Sequence, residues 1–181
     1  MATNQMEMEA KIAVADLAAI EDRLAGLGAG KTGEYTETDT FFDFPDRRLK
    51  AADSALRLRE RKNLHTGQSN FRLTFKGPRQ PGPFKHRREV ELAVDSHENT
   101  RALLEALGLA SFAEYTKRRH SWTLDGCGVE ADRLEGIGQF VEVEGPDEQT
   151  IRRVMARLGL TDSPIIHKSY LSMAIKAGLA G

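Results

Sequence analysis

Six stretches of this chain step with a period of two between apolar and charged side chains, and their charged faces are sorted by sign. In "MEMEAKI" (6–12), Met6, Met8, Ala10 and Ile12 share one face, and Glu7, Glu9 and Lys11 share the other, because successive strand side chains point to opposite sides. "ALRLRER" sets Arg57, Arg59 and Arg61 against Leu56 and Leu58. "FRLTFK" sets Arg72, Thr74 and Lys76 against Phe71, Leu73 and Phe75. "RREVELAV" aligns Arg87, Glu89 and Glu91 opposite Val90, Leu92 and Val94. "KRRHSWTL" places Lys117 and Arg119 opposite Trp122 and Leu124, and "FVEVE" places Glu142 and Glu144 opposite Val141 and Val143. Each run reads as a half-buried strand.

Any one such face is ordinarily a solvated sheet surface. Solvated faces intersperse their signs, however, whereas here one strand is Arg-x-Arg, another Lys-x-Arg, and three carry Glu-x-Glu. Two carboxylates two residues apart repel unless something positive answers them. A closed sheet with a polar interior meets that need, since acids on one wall can face bases on another. The apolar faces then point outward, partly under helices.

Converging Arg and Lys suit the oxygens of a polyphosphate, Arg bidentately and Lys as a point charge. Converging carboxylates are hard oxygen ligands for Mg²⁺ or Mn²⁺. A site needing both binds a nucleoside triphosphate or inorganic triphosphate. On this reading Glu7 and Glu9 are metal-side residues and Lys11 is phosphate-side.

Three segments read as helices. "DLAAIEDRLAGLG" offers Asp16 as N-cap and Gly28 as stop. "DSHENTRALLEALG" has Asp95 and Glu98 at capping-box spacing, and "PDEQTIRRVMARLG" starts on Pro146. "KSYLSMAIKAG" suggests a short last helix, "DGCG" (125–128) a hairpin turn, and "KGPRQPGPFK" (76–85) a basic loop at a tunnel mouth. "EMEAKIAVADLAAIEDRLAGLG" is loosely echoed by "EVELAVDSHENTRALLEALG", a hint of two similar halves.

The 181 residues suffice for one domain, 1–181. With 40% hydrophobic residues, 29% charged residues and a net charge of −1, no global field draws the chain to nucleic acid or to an acidic membrane. No apolar run reaches membrane-span length, and the single Cys127 excludes an internal disulfide, so a cytoplasmic setting is expected. His65, His86, His97, His120 and His167 lack zinc-ligand spacing, and Cys127 has no evident activating partner. Few aromatics interleave the basic clusters, which argues against a nucleic-acid platform. A homodimer is compatible with the sequence but not required by it.

The ordered set "EMEAK", "DTFFDFP", "ALRLRER", "TFKGP", "RREVE", "YTKRRHSW", "DRLEGIGQFVEVE" and "KSYL" resembles the CYTH superfamily of triphosphate tunnel metalloenzymes. The "FKGP…RREVE" pairing and "KSYL" are most similar to its class IV adenylyl cyclase branch. The resemblance implies an α+β fold in which an antiparallel barrel of about eight strands encloses a tunnel flanked by helices. It implies a catalytic group of Glu7, Glu9 and Lys11. Triphosphate contacts fall to Arg57, Arg59, Lys76, Arg87, Lys117, Arg119 and, matched only loosely, Lys168. The implied metal ligands are Glu9, Glu89, Glu91, Asp132, Glu142 and Glu144, holding Mg²⁺ or Mn²⁺. Where the family often has tyrosine in "DTYFD", this chain has Phe41, which leaves Asp39 and Asp43 as candidates there. The expected activity is conversion of ATP to cyclic AMP and pyrophosphate. Hydrolysis of inorganic or thiamine triphosphate is the alternative, and a non-catalytic polyphosphate-binding module is the non-enzyme reading.

Overall fold

A computed structural model describes residues 2–180. The chain runs β1 (Ala2–Val14), α1 (Leu17–Gly26), β2 (Gly30–Asp43), α2 (Arg48–Ala51), β3 (Ala55–Asn63), β4 (Ser69–Arg79) and β5 (Lys85–Val94). It continues through α3 (His97–Ala106), β6 (Ala110–Leu124), β7 (Cys127–Leu134), β8 (Gly138–Glu144), α4 (Glu148–Arg157) and α5 (Tyr170–Lys176). The eight strands close into an antiparallel barrel in the order β1-β5-β4-β3-β2-β6-β7-β8. Closure removes every sheet edge and creates an inside.

The two sequence halves that echo each other become two units that share a β-α-β-β-β order, β1 to β4 and β5 to β8, the first with the extra short helix α2 before β3. Exchanging each strand for its counterpart turns the ring order back into itself, so the strand order has twofold symmetry. Glu7 and Glu9 on β1 thereby correspond to Glu89 and Glu91 on β5, and these two strands pair directly.

Strand parity sends the apolar faces outward, where helices cover them. Ala10, Ile12, Val129, Val141 and Val143 pack beneath Leu17 and Leu24 of α1 and Ile151 and Val154 of α4. Leu104 of α3 packs on Phe42 and Leu58. Inside, one end of the barrel is filled by Phe41, Tyr115, Leu134 and Phe140 together with Tyr170 and Ala174 of α5. The helices form where their caps allow. Asp16 accepts from the amides of Ala18 and Ala19 at 2.9 and 3.3 Å. For α3 and α4 the N-caps lie one residue beyond the expected positions: Ser96 rather than Asp95 caps α3, and Asp147 follows Pro146 to cap α4. Asp125 and Gly126 both adopt positive φ, 50° and 81°, the pairing that a two-residue type I′ hairpin requires.

The stretch 76–85 is less of a loop than its glycines and prolines suggest. β4 continues to Arg79 and β5 begins at Lys85, with a register irregularity between Lys76 and Arg79 absorbing Gly77 and Pro78. No helix among the described residues is long and apolar enough to cross a membrane.

Candidate active site

The charged strand faces converge on one cavity of about 610 Å³ inside the barrel. Glu7, Glu9 and Lys11 line it from β1, and Arg57 and Arg59 from β3. Lys76 comes from β4, Arg87, Glu89 and Glu91 from β5, Lys117 and Arg119 from β6, and Glu142 and Glu144 from β8. Two residues expected there are elsewhere. Asp132 faces the barrel interior but is fully buried beneath Lys117 and Arg119 and does not line the cavity, and the side chain of Lys168 is exposed. Lys168 precedes α5, and its nearest link to the site is its carbonyl oxygen, 3.5 Å from Lys11 Nζ.

The wall holds itself together by ion pairs. Arg59 donates from Nε and Nη2 to the two oxygens of Asp39 at 2.6 and 2.7 Å, and its Nη1 meets Glu37 Oε2 at 2.8 Å. Arg119 is similarly bidentate on Asp132, at 2.7 and 2.5 Å, and also reaches Glu142 Oε2 at 2.6 Å. Lys117 lies 3.0 Å from Asp132 and 3.4 Å from Glu37. Charges this deeply buried are tolerable only because each is paired. In this structure Asp132 holds the Lys117–Arg119 pair in orientation.

Burial opposes ionisation of Glu142, but Lys11, Arg119 and Lys117 outweigh it and hold this carboxyl well below the usual range. Asp39 is likewise lowered: burial works against its charge, and Arg59 and Arg57 overcome it. Lys11 moves the other way. Burial lowers it to about 8 despite Glu142 at 3.1 Å, and its ammonium sits 3.5 Å from the centre of the Tyr170 ring.

The mouth-side acids behave differently from these clamped groups. Glu9 faces Glu144 across the β1–β8 pair. Glu144 is raised to about 7, by desolvation of the part facing the cavity and then by Glu7 and Glu9, although the residue as a whole remains open to solvent. Glu7 is raised by burial and by Glu89, against the pull of Lys76. Surplus negative charge on hard oxygens is the donor set that Mg²⁺ or Mn²⁺ takes. Among the described residues, no three His, Cys, Asp or Glu side chains stand ready around a single point. Lys85 holds Glu9 at 2.5 Å, Lys76 holds both Glu7 and Glu89, and Arg72 holds Glu91. The carboxylates fit a divalent cation in kind, and seating one requires them to change partners.

Several wall residues escaped the sequence reading. Glu37, on β2, is fully buried and binds Arg59, Arg61 and Lys117. Lys85 and Glu130 also line the cavity, as does Tyr115, whose hydroxyl donates to Asp39 at 3.0 Å. Lys85 lies two residues before Arg87, so parity alone could have placed it. Phe41 stacks on Tyr115 with centroids 5.8 Å apart. Asp43 serves the backbone, accepting from the amides of Phe44, Leu49 and Lys50 around α2.

Relatives share this architecture. The adenylate cyclase CyaB of Aeromonas hydrophila is 27% identical over 179 residues, spanning 93% of this chain and 88% of its own. The PH1819 protein of Pyrococcus horikoshii OT3 superposes with a TM-score of 0.81 at 22% identity, covering 94% of this chain and 98% of that one. HpAC1 of Hippeastrum, a protein with a dominant triphosphatase activity, superposes at 0.73 with 17% identity, covering 95% and 96%. Residues 5–156 match the CYTH domain family, more than half of the chain, and with the charged barrel in place the conclusion is plain: this protein belongs to the CYTH domain family.

Proposed function

We propose that the barrel binds the triphosphate of ATP and converts it to cyclic AMP and pyrophosphate, in the manner of a class IV adenylyl cyclase. The observation that carries this reading is a pair of donors. Arg57 Nε and Arg87 Nε are buried in the described structure without a hydrogen-bond partner, and both side chains line the cavity. Unpaired buried donors are costly, and phosphate oxygens are the acceptors that arginine fits best. A cavity of about 610 Å³ is in the range that takes a nucleotide.

In this reaction the ribose 3′-oxygen bonds to the α-phosphorus, the bond from that phosphorus to the α,β-bridging oxygen breaks, and the hydroxyl proton passes to solvent. Arg57 and Arg87 grip the phosphate oxygens, and Lys11, Lys117 and Arg119 set a positive field along the chain. Positioning and charge neutralisation supply most of the catalysis in such transfers. A divalent ion, Mg²⁺ or Mn²⁺, held by oxygens from Glu9, Glu142 and Glu144, would supply further neutralisation of the phosphate charge.

A triphosphatase reading has its own support in the likeness to HpAC1. There a water oxygen bonds to the terminal phosphorus and the bridging oxygen departs with the remaining phosphates. The same wall serves both reactions, so products decide between them. Purified protein is incubated with ATP, tripolyphosphate or thiamine triphosphate plus Mg²⁺ or Mn²⁺, and the products are followed by phosphorus NMR. Cyclic AMP and pyrophosphate establish the cyclase, and orthophosphate establishes the triphosphatase. Binding without turnover leaves a polyphosphate-binding module and overturns both.

A further inference from the structure

The cations of the cavity wall fall into two groups by the number of acids that hold them. Arg59, Lys117 and Arg119 each contact at least two carboxylates, and those contacts fix them in place. Among the described residues two buried lysines have one ion pair each: Lys11 pairs with Glu142 but also meets the Lys168 carbonyl and the Tyr170 ring, whereas the contact of Lys85 is to Glu9 at 2.5 Å, although the residue is only 5% exposed. Lys85 is the first residue of β5, entered from the Gly/Pro-rich segment, and its four-carbon stem can swing its ammonium without moving the strand. Glu9 sits between Lys85 on one side and Glu144 on the other in the strand register.

Resting on the triphosphate reading above, we propose that Lys85 is an exchanging residue. It holds Glu9 until a divalent cation takes that carboxylate, and then turns to a phosphate oxygen of the substrate, which makes metal and triphosphate bind cooperatively. The physical reason is the cost of an unpaired ammonium. A lysine buried to this degree cannot be left without an acceptor once its single carboxylate is engaged elsewhere. A phosphate beside it supplies the acceptor. Conversely, a phosphate that draws Lys85 away strips Glu9 of its counter-charge and raises its appetite for a cation. Linkage makes the two effects equal in size. The clamped cations cannot do this, because losing one acid still leaves them another.

The test is tripolyphosphate binding to the full chain by calorimetry, in chelator and in excess free Mg²⁺. Wild type is compared with Lys85→Met, both checked for folding by circular dichroism. With metal the lysine faces phosphate, so Lys85→Met should weaken binding by roughly tenfold; in chelator, where Glu9 keeps the lysine, by less than about threefold. Equal weakening in both conditions, or none in either, overturns the exchange and makes Lys85 a fixed wall charge. A second arm does not depend on that variant's folding. Glu9→Gln releases Lys85 without metal, so it should tighten binding in chelator, and adding Lys85→Met to it should remove the gain. A gain that survives in the double variant also overturns the exchange. A wild-type protein that binds no tripolyphosphate in either condition overturns the triphosphate reading itself, and the exchange falls with it.

Discussion

Arg59 lies edge-on against Asp39, two parallel hydrogen bonds of 2.6 and 2.7 Å joining guanidinium to carboxylate. Arg57, two residues earlier on the same face, reaches Thr74 Oγ1 at 3.2 Å and Asp39 only at 3.6 Å, and keeps its Nε unpaired. Neighbouring arginines of the same strand thus have different work. One is locked into the wall and the other is offered to the cavity.

Arg59→Met should therefore act first on stability. It leaves Asp39 and Glu37 buried with less counter-charge, and breaking such a pair costs about 3–5 kcal/mol. Urea unfolding monitored by circular dichroism measures it. Arg57→Met should change the unfolding midpoint far less, yet weaken tripolyphosphate binding about tenfold or more, the worth of a charged hydrogen bond. Equal midpoints for the two variants would contradict this division.

Acid should loosen the same wall. Burial disfavours the charge on Glu37, but Arg59, Arg119 and Lys117 hold its carboxyl well below 4.5; Asp39 is held below 3.8 in the same way by Arg59 and Arg57. The unfolded chain takes up these protons at its ordinary values while the folded chain resists. Their stabilisation is thus complete above about pH 4.5 and is lost as pH falls toward the folded values. The urea midpoint should drop steeply between pH 4.5 and 2, with a shallower slope in Asp39→Asn. A slope unchanged in that variant would remove Asp39 from the account.

Glu142→Gln separates metal from substrate. Glu142 receives Arg119 at 2.6 Å and Lys11 at 3.1 Å, and its amide replacement keeps the shape without the charge. Turnover should fall by at least tenfold and the metal concentration for half-activity should rise, while nucleotide affinity changes less. Metal and nucleotide titrated separately against the variant give the answer. An unaltered metal requirement would take Glu142 out of the ligand set.

Removing divalent metal with a chelator should abolish turnover, and Mg²⁺ or Mn²⁺ should restore it, since the oxygens available are carboxylates. Steady-state assays before and after chelation, then with each ion added back, are sufficient. Full activity in chelator, or rescue by zinc alone, would refute a carboxylate-held ion.

Much of the barrel was legible because an inward charge opposite an outward hydrophobe leaves a period-two trace. The strand β2 left none, and β7 only a short one in Val129, Glu130, Ala131 and Asp132. β2 turns Thr36, Thr38 and Thr40 outward and Glu37 and Asp39 inward, so polarity does not alternate along that stretch. The acid most central to the arginine clamp, Glu37, was hidden for that reason. Lys85 was lost to a neighbouring signal, the glycines and prolines of 77–83, which read as loop up to the point where the strand had already begun.

By itself, the sequence determined which side chains share a face, because strand parity is local and needs only the order of residues. It also determined that the shared faces were too rich in like charge to be left unanswered. Which acid meets which base was decided only by closure and register: Glu9 meets Lys85, 76 residues away, and Arg119 meets Glu142 across β7. Those pairings in turn divide the cations into ones clamped by several acids and ones held by a single acid, Lys85 and Lys11 among them. Parity places a charge on a wall, but the free energy of a buried charge depends on the atoms within a few ångströms of it, and only the folded barrel brings those together.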